Sequence, residues 1–242
     1  MRISKIFDPS GEHLISLAAD RAVATILRAW HENRDAHIVV TGGRSGVALC
    51  KALDYAFHRS MQSRTQTGDK DSQLKVHIWL SDERFVSALD QDRTGIALSS
   101  ALSLTADLLV FHQLLTNESH SLSDATSEYA EQLKAAVTGR KFDIALLSMG
   151  EDGHVASCFP GQESLESPDD VVSVPNSPKP PKERVTLSLA RIALSNQIYI
   201  LALGEAKRMA LTSSLDGVPD MPIEILHQNS SSGQIFILTD LQ

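Results

Sequence analysis

The sequence predicts an α/β fold, in which a Rossmann-like and mainly parallel sheet is flanked by helices on both faces. Two observations predict it: short β-branched runs alternate with amphipathic stretches, and turn residues such as Gly and Asp separate them. Parallel strands need long crossover connections, which helices of roughly ten or more residues supply. With 242 residues and 42% hydrophobic composition, the chain is long enough to form one domain over residues 1–242.

The first predicted elements are a helix, a strand and a second helix. Apolar residues recur at helical spacing over residues 10–33, where Ser10 can cap the helix. The run at residues 37–41 predicts a strand that ends at a double glycine, and residues 45–58 predict the next helix. Residues 60–73 are polar and without periodicity, which indicates a solvated loop.

The remaining elements follow from the same patterns. Strands are predicted at residues 74–80, 108–112, 143–149, 171–174, 184–189, 197–203 and 234–239. Helices are predicted at residues 123–138 and 205–214. Ligands of such open sheets bind beyond the carboxyl ends of the strands. We therefore expect functional residues in the loops at residues 41–46, 81–94, 148–160 and 203–207.

Composition excludes several classes of protein. A formal net charge of −8 argues against nucleic-acid binding, which normally needs a basic surface. No apolar run approaches the roughly 18 residues of a membrane helix, and the first residues lack the apolar stretch of a secretory signal, so we expect a soluble, cytoplasmic protein.

Cys50 and Cys158 form no CxxC pair and are expected to be free thiols. The metal-binding and nucleophile-elbow patterns are missing too, which favours a metal-independent reaction assisted by histidine.

A glycine-rich turn follows the strand at residues 37–41. Gly42 and Gly43 precede Arg44 at a helix start, where unhindered backbone N–H groups and the helix dipole favour an anion. The spacing fits neither the P-loop nor the dinucleotide-binding glycine pattern. The turn is therefore either a simple tight bend or a phosphate site.

A charged run, Asp82-Glu83-Arg84, follows the strand at residues 74–80. It is either a solvated loop with a local ion pair or part of the same crevice as the glycine turn. In the second case Arg84 offers a forked donor for phosphate or carboxylate. Asp82 can then accept hydrogen bonds from sugar hydroxyls or orient a histidine.

The most informative segment is residues 147–160, which leave an apolar strand through two glycines. Gly150 and Gly153 permit an abrupt reversal of the chain. Asp152 and His154 then stand together at the strand end, where the carboxylate can tune the imidazole. A lone histidine is more often structural than catalytic, but among the nine in this chain His154 has the surroundings of a working group.

Downstream basic residues give weaker signals. Arg184 follows a proline-stiffened loop and is either a ligand group or a surface residue at a strand end. Lys207 lies in the first turn of a predicted helix, where a cation opposes the dipole and an anionic partner would offset this cost. Lys179 and Lys182 are expected to be solvated.

Five segments, in this order and spacing, resemble the 6-phosphogluconolactonase family: TGGRSG, WLSDERF, SMGEDGHVASCFPG, SPKPPKERVTLS and LGEAKRMAL. The resemblance runs from Thr41 to the final strand. It implies a sheet of the type shared with glucosamine-6-phosphate deaminase and ribose-5-phosphate isomerase. It also implies hydrolysis of a small-molecule phosphorylated sugar lactone, 6-phosphogluconolactone, to 6-phosphogluconate in the pentose phosphate pathway, with neither a metal nor an organic cofactor.

The resemblance also implies roles for individual residues. His154 matches the family's general base, which takes a proton from the water that attacks the lactone carbonyl. Asp82 and Arg84 match residues around the sugar and the catalytic centre. The residues that match the phosphate- and substrate-holding group are Gly42, Gly43, Arg44, Arg184 and Lys207. The residues that match the turn presenting the histidine are Gly150, Asp152 and Gly153.

Two departures from the family pattern and two alternative functions stay open. The family commonly has Gly at the position of Ser148 and Asn at that of Thr94, so affinity or substrate preference can differ. A glucosamine-6-phosphate deaminase shares the Asp-Gly-His element, but the continuation here, residues 156–160, lacks the glutamate usual in deaminases. The second alternative is a sugar-phosphate-binding protein without turnover, against which the intact Asp82 and His154 argue. We expect a monomer or a weak homo-oligomer.

Overall fold

The computed structural model describes residues 3–66, 74–137, 139, 141–230 and 233–242. The strands are β1 (Ile3–Phe7), β2 (Ala36–Val40), β3 (Val76–Leu80), β4 (Asp82–Arg84), β5 (Leu109–His112), β6 (Ile144–Ser148), β7 (Val171–Val174), β8 (Arg184–Leu187), β9 (Gln197–Ala202) and β10 (Gln234–Thr239). The helices are α1 (Gly11–His31), α2 (Gly43–Gln66), α3 (Thr94–Ala101), α4 (Leu122–Val137), α5 (Leu189–Ala193), α6 (Arg208–Leu215) and α7 (Pro222–Asn229). A 3₁₀ turn, Glu205–Lys207, directly precedes α6.

Seven strands form a parallel sheet in the order β1-β10-β9-β6-β2-β3-β5. All five residues of β2 are buried, although successive side chains of a strand point to opposite faces. Both faces of the sheet are therefore covered at this strand, which is why its sequence is a continuous rather than an alternating apolar run. The predicted α/β fold with a mainly parallel sheet is confirmed.

A second, antiparallel sheet has the order β4-β8-β7. This sheet corrects two interpretations of the sequence. The charged run Asp82–Arg84, which we expected in a loop, is the strand β4. The segments that became β7 and β8 are strands as predicted, but they belong to this small sheet and not to the parallel one.

The predicted loop at residues 60–73 is wrong in its first half. Helix α2 continues to Gln66, and residues 67–73 lie outside the described part of the chain. The last turns of α2 contain Met61, Gln62 and Arg64, whose unbranched side chains favour helix even without an apolar stripe. The start of helix α1 is as predicted: Ser10 caps it, since the Ser10 side chain accepts a hydrogen bond from the His13 N–H.

Candidate active site

The loops after β2, β3, β6 and β9 meet in one cavity of about 320 Å³ at the carboxyl ends of the parallel strands. Nine of the residues predicted from the sequence line it: Gly42, Gly43, Arg44, Asp82, Arg84, Gly150, His154, Arg184 and Lys207. The other two, Asp152 and Gly153, belong to the turn that carries His154. Loops that are distant in sequence are thus brought together where the sheet topology predicts a ligand site.

The cavity concentrates positive charge in an acidic protein. Five cationic side chains line it, against two acidic ones. The cations are Arg44, Arg84, Lys179, Arg184 and Lys207. Since the chain as a whole has a formal net charge of −8, this local excess favours an anionic ligand.

The glycine turn lets the chain enter α2 at the cavity wall. Gly43 has φ +70°, a backbone conformation that glycine adopts without a steric penalty. A Cβ at Gly42 would lie 2.5 Å from Thr94 Cγ2, so a side chain there would force Thr94 aside. The first turn of the 24-residue helix α2 therefore lines the cavity with its backbone close to any ligand.

A tight turn after β6 presents His154. The Gly150 N–H donates to the His154 carbonyl at 2.8 Å, and the Gly153 N–H donates to the Gly150 carbonyl at 3.1 Å. A Cβ at Gly150 would lie 2.1 Å from two atoms of the imidazole ring. Glycine is required at that position because the ring folds back over the turn. The ring also packs on Phe159, with the ring centroids 4.6 Å apart.

His154 is one end of a chain of three charged or polar side chains, in which Asp152 is the middle member and Lys179 the other end. Its Nδ1 lies 2.5 Å from Asp152 Oδ1, and Lys179 Nζ lies 3.0 Å from Asp152 Oδ2. Because a carboxylate only accepts hydrogen bonds, this contact assigns the proton of the neutral ring to Nδ1. The other ring nitrogen, Nε2, is then left with a lone pair, which is what a general base requires.

The pKa values of the pair keep it in this state at neutral pH. Burial lowers the pKa of His154, and the hydrogen bond to Asp152 opposes that change without cancelling it. Burial disfavours the charged form of Asp152, but hydrogen bonds from His154 and Lys179 outweigh it and lower the pKa of Asp152 to about 2. The ring is therefore neutral and the carboxylate ionised.

Arg184 is buried and not at the surface, so the reading of it as a strand-end surface residue is wrong. Only 3% of the residue is exposed. Its Nε donates to the Pro181 carbonyl, and its Nη2 donates to the carbonyls of Lys179 and Pro180, at 3.1 to 3.2 Å. Arg184 thus fixes the loop that carries Lys179, besides lining the cavity. Burial lowers its pKa.

Asp82 connects this loop to the histidine turn. Its Oδ2 accepts a hydrogen bond from Ser157 Oγ at 2.6 Å and lies 3.9 Å from Arg184 Nη1. The backbone N–H of Ser157 is also bound, by Thr186 Oγ1 on β8 at 3.2 Å. The histidine turn is therefore anchored to the small sheet at two points. Ser157 could not be identified from the sequence, because its role depends on partners far away in the chain.

Pairing of β4 with β8 places Arg84 directly opposite Arg184. Like charges at such cross-strand positions are destabilising, and an anion between them offsets the repulsion. Glu83, between Asp82 and Arg84, points to the other face of the strand. There its carboxylate accepts hydrogen bonds from the N–H groups of Thr94 and Gly95, each at 2.7 Å, at the start of α3.

Two lysines complete the wall of the cavity. Lys207 Nζ donates to Ser148 Oγ at 3.3 Å, and burial lowers the pKa of Lys207. The expectation that Lys179 is solvated is wrong, since it pairs with Asp152 and lines the cavity. Lys182 is exposed, as expected. The nearby prolines were the available signal for Lys179, because a stiff loop can hold a lysine in place.

Within the described ranges, no group of three or more His, Cys, Asp and Glu side chains is placed to hold a metal ion. The helices of those same residues include none that is long and apolar enough to cross a membrane. Cys50 and Cys158 are buried free thiols. The cavity presents one imidazole, with its carboxylate partner, and a cluster of cations.

Known proteins resemble this chain in sequence and in fold. Residues 9–236 match the family described as glucosamine-6-phosphate isomerases/6-phosphogluconolactonase. A 6-phosphogluconolactonase of Mycobacterium leprae is 30% identical over 235 residues, which cover 90% of this chain and 88% of the relative. The corresponding protein of Streptomyces coelicolor is 31% identical, covering 87% and 82%. The crystal structure of a 6-phosphogluconolactonase from Shewanella baltica superposes with a TM-score of 0.77 at 26% identity, covering 98% and 97%.

Proposed function

Because this chain belongs to the family of glucosamine-6-phosphate isomerases and 6-phosphogluconolactonases, we propose that it hydrolyses 6-phospho-D-glucono-1,5-lactone to 6-phosphogluconate in the oxidative pentose phosphate pathway. The observation that carries the proposal is a neutral imidazole, backed by an ionised carboxylate, beside a cluster of five cations in one cavity. The cations bind the phosphate of the substrate, and the neutral imidazole activates the attacking water. In this proposal the enzyme is a soluble protein of the cytoplasm, and residues 1–242 form a single functional domain.

In the proposed reaction His154 is the general base. Its Nε2 takes a proton from a water molecule, whose oxygen forms a bond to the lactone carbonyl carbon. The bond from that carbon to the ring oxygen then breaks, and the imidazolium returns the proton to the departing alkoxide. Asp152 stabilises the imidazolium through Nδ1 while the proton is held. A lactone is already an activated ester, so one positioned base suffices without a covalent nucleophile.

The phosphate is held by cations of the cavity that do not contact the His154–Asp152 pair. Backbone N–H groups at the start of α2 and the side chain of Arg44 face it, together with Lys207. Arg184 contributes charge and fixes the loop of Lys179, while Asp82 and Arg84 adjoin the sugar. Gly42, Gly43, Gly150 and Gly153 serve by letting the backbone approach or reverse.

The test is a rapid assay of lactone disappearance at slightly acidic pH, where the spontaneous reaction is slow. The native chain is expected to accelerate ring opening, and His154→Ala to lower kcat by about two to four orders of magnitude with little change in KM. Unchanged turnover in that variant contradicts the role of His154.

Two further outcomes contradict the proposal as a whole. Release of ammonia from glucosamine 6-phosphate would identify a deaminase. Tight binding of 6-phosphogluconate in calorimetry, without any acceleration of lactone loss, would identify a binding protein. Both measurements use the native chain and the same preparation.

A further inference from the structure

A second cavity, of about 500 Å³, adjoins the first and shares Gly43, Arg44, Arg84 and Thr94 with it. We call it the α2–α3 cleft, because its walls are the facing sides of these two helices. The α2 wall consists of Arg44, Val47, Ala48 and Lys51, whose spacing of three, four and seven residues places them on one face of the helix. The α3 wall consists of Thr94, Ala97 and Leu98.

The α2 wall carries a cation at each end and apolar residues between them. Arg44 and Lys51 are seven residues apart, which corresponds to about 10 Å along the helix axis. Val47 and Ala48 lie between them along the helix, and Ala97 is the exposed apolar residue of the α3 wall, since Leu98 is fully buried. Such apolar walls between two cations suit a flat hydrophobic ring.

One arginine of the cleft is bound on the side away from it, since its partner Leu114 does not line the cleft. Arg93 lines the cleft with only 6% of its surface exposed. Its Nη2 donates to the Leu114 carbonyl, but its Nη1 is buried and has no hydrogen-bond partner among the described residues. Because Nη1 is buried, a ligand in the cleft does not reach it, and Arg93 contributes positive charge to the cleft and no hydrogen bond.

The net charge at the cleft is positive. Arg44, Lys51, Arg84 and Arg93 line it, and Asp92 is the one acidic lining residue in the described part of the chain. Arg84 donates to the backbone carbonyl of Asp92 at 2.9 Å, which leaves the Asp92 side chain uninvolved in that contact. An anionic group is therefore favoured here as well.

We propose that the α2–α3 cleft binds an organic phosphate that carries a flat apolar ring, the chemistry of a mononucleotide. The ring lies between Val47 and Ala97, and the phosphate lies among the arginines or at Lys51. A mononucleotide is about as long as the distance between Arg44 and Lys51. Because Arg44 and Arg84 line both cavities, an occupant of the cleft competes for cations of the first cavity.

The test is calorimetric titration of the native chain with adenosine 5′-phosphate, and then with adenosine and with inorganic phosphate. The nucleotide is expected to bind at least about tenfold more tightly than either fragment, because only the nucleotide uses both the apolar walls and the cations. Ala97→Glu places a carboxylate in the cleft and is expected to weaken nucleotide binding by about tenfold or more.

Two more variants keep the test specific. Ser100→Glu is the matched control, since it adds the same charge at an exposed position of α3 outside the cleft, and it is expected to change the affinity less than about twofold. Lys51→Ala, at an exposed position of α2 where alanine favours helix, is expected to weaken binding about threefold or more. Melting curves of each variant show that it is folded.

Three results would overturn the proposal. One is the absence of saturable nucleotide binding to the native chain. Another is nucleotide affinity that is the same in Ala97→Glu and Lys51→Ala as in the native chain, which would place the nucleotide in the first cavity. The third is adenosine or inorganic phosphate binding as tightly as the nucleotide.

Discussion

Replacement of Asp152 by Asn tests the pairing that prepares His154. The substitution keeps the size of the side chain and removes its charge, so Nδ1 no longer faces an anion. Two consequences follow. The imidazolium that forms during the reaction loses its stabilising partner, which lowers kcat. The protonated ring is also less favoured at rest, which lowers the pKa of His154 further.

The pKa of Asp152 sets the size of the effect. It lies at about 2, roughly two units below the ordinary value, which corresponds to about 2.5 kcal/mol of favourable interaction. His154 and Lys179 share this energy, and 37% exposure of the side chain screens it, so roughly 1 kcal/mol belongs to the contact with His154. We expect kcat to fall at least about fivefold and the acid limb of kcat/KM to move down by about 0.7 pH unit.

The sign of the pH shift is specific to the mechanism. A base works when it is neutral, so its activity is lost as the pH falls through its pKa. Since the pKa of His154 is lowered in the native chain, the acid limb of the pH–activity profile lies below about 6.5, the ordinary pKa of histidine. Loss of the neighbouring anion moves that limb lower still.

The assay is lactone disappearance between about pH 4.5 and 7.5, with the spontaneous rate subtracted at each pH. Asp169→Asn, which removes a charge at an exposed position away from the cavity, is the control and is expected to leave the profile unchanged. An acid limb of Asp152→Asn that stays in place or moves up would refute the assignment of the Nδ1 proton and the role of the carboxylate.

Three other substitutions probe the cavity. Gly150→Ala is expected to lower kcat by about two orders of magnitude, because the new Cβ displaces the His154 ring, and a kcat within twofold of native would contradict that contact. Arg184→Ala is expected to raise KM and also to lower the free energy of unfolding by about 3 kcal/mol, since it leaves Asp82 buried without its cation. Denaturant unfolding measures this free energy, and an unchanged value would show that the Asp82–Arg184 pair does not stabilise the fold. Lys207→Ala is expected to raise KM with little change in kcat. Unaltered affinity for 6-phosphogluconate would show that Lys207 does not bind the phosphate.

Much of the parallel sheet could be predicted because its strands are buried on both faces. The runs that became β2, β6 and β9 are continuous and apolar, and each ends at glycine or charged residues. The helix α3 was missed because its eight residues are nearly all small or apolar, so no periodic stripe distinguishes it. Strand β4 was missed because three charged residues do not look like a strand. Its partner β8 lies about a hundred residues later, and pairing of that kind leaves no local signal.

The cavity was predicted more completely than the contacts within it. Sheet topology and the spacing of glycines sufficed to bring His154, Arg44 and Lys207 to one edge of the sheet. Whether a charged residue is buried depends on the whole fold, which is why Arg184 stayed ambiguous. Lys179 was missed for the same reason, since its partner Asp152 reaches it only after the chain has folded.

The small sheet has a consequence for how this protein tolerates change. Side chains alternate along β4, so Asp82 and Arg84 share one face and Glu83 takes the other. Deleting the single residue between β3 and β4 would invert that order, turning Glu83 toward Arg184 of β8 and sending Arg84 to the start of α3. The length of the one-residue connection between β3 and β4 therefore determines which face of the small sheet each side chain of β4 takes. That residue, Ser81, is fully buried and its hydroxyl donates to Asp82, so homologues are expected to keep both the length of the connection and a small side chain there.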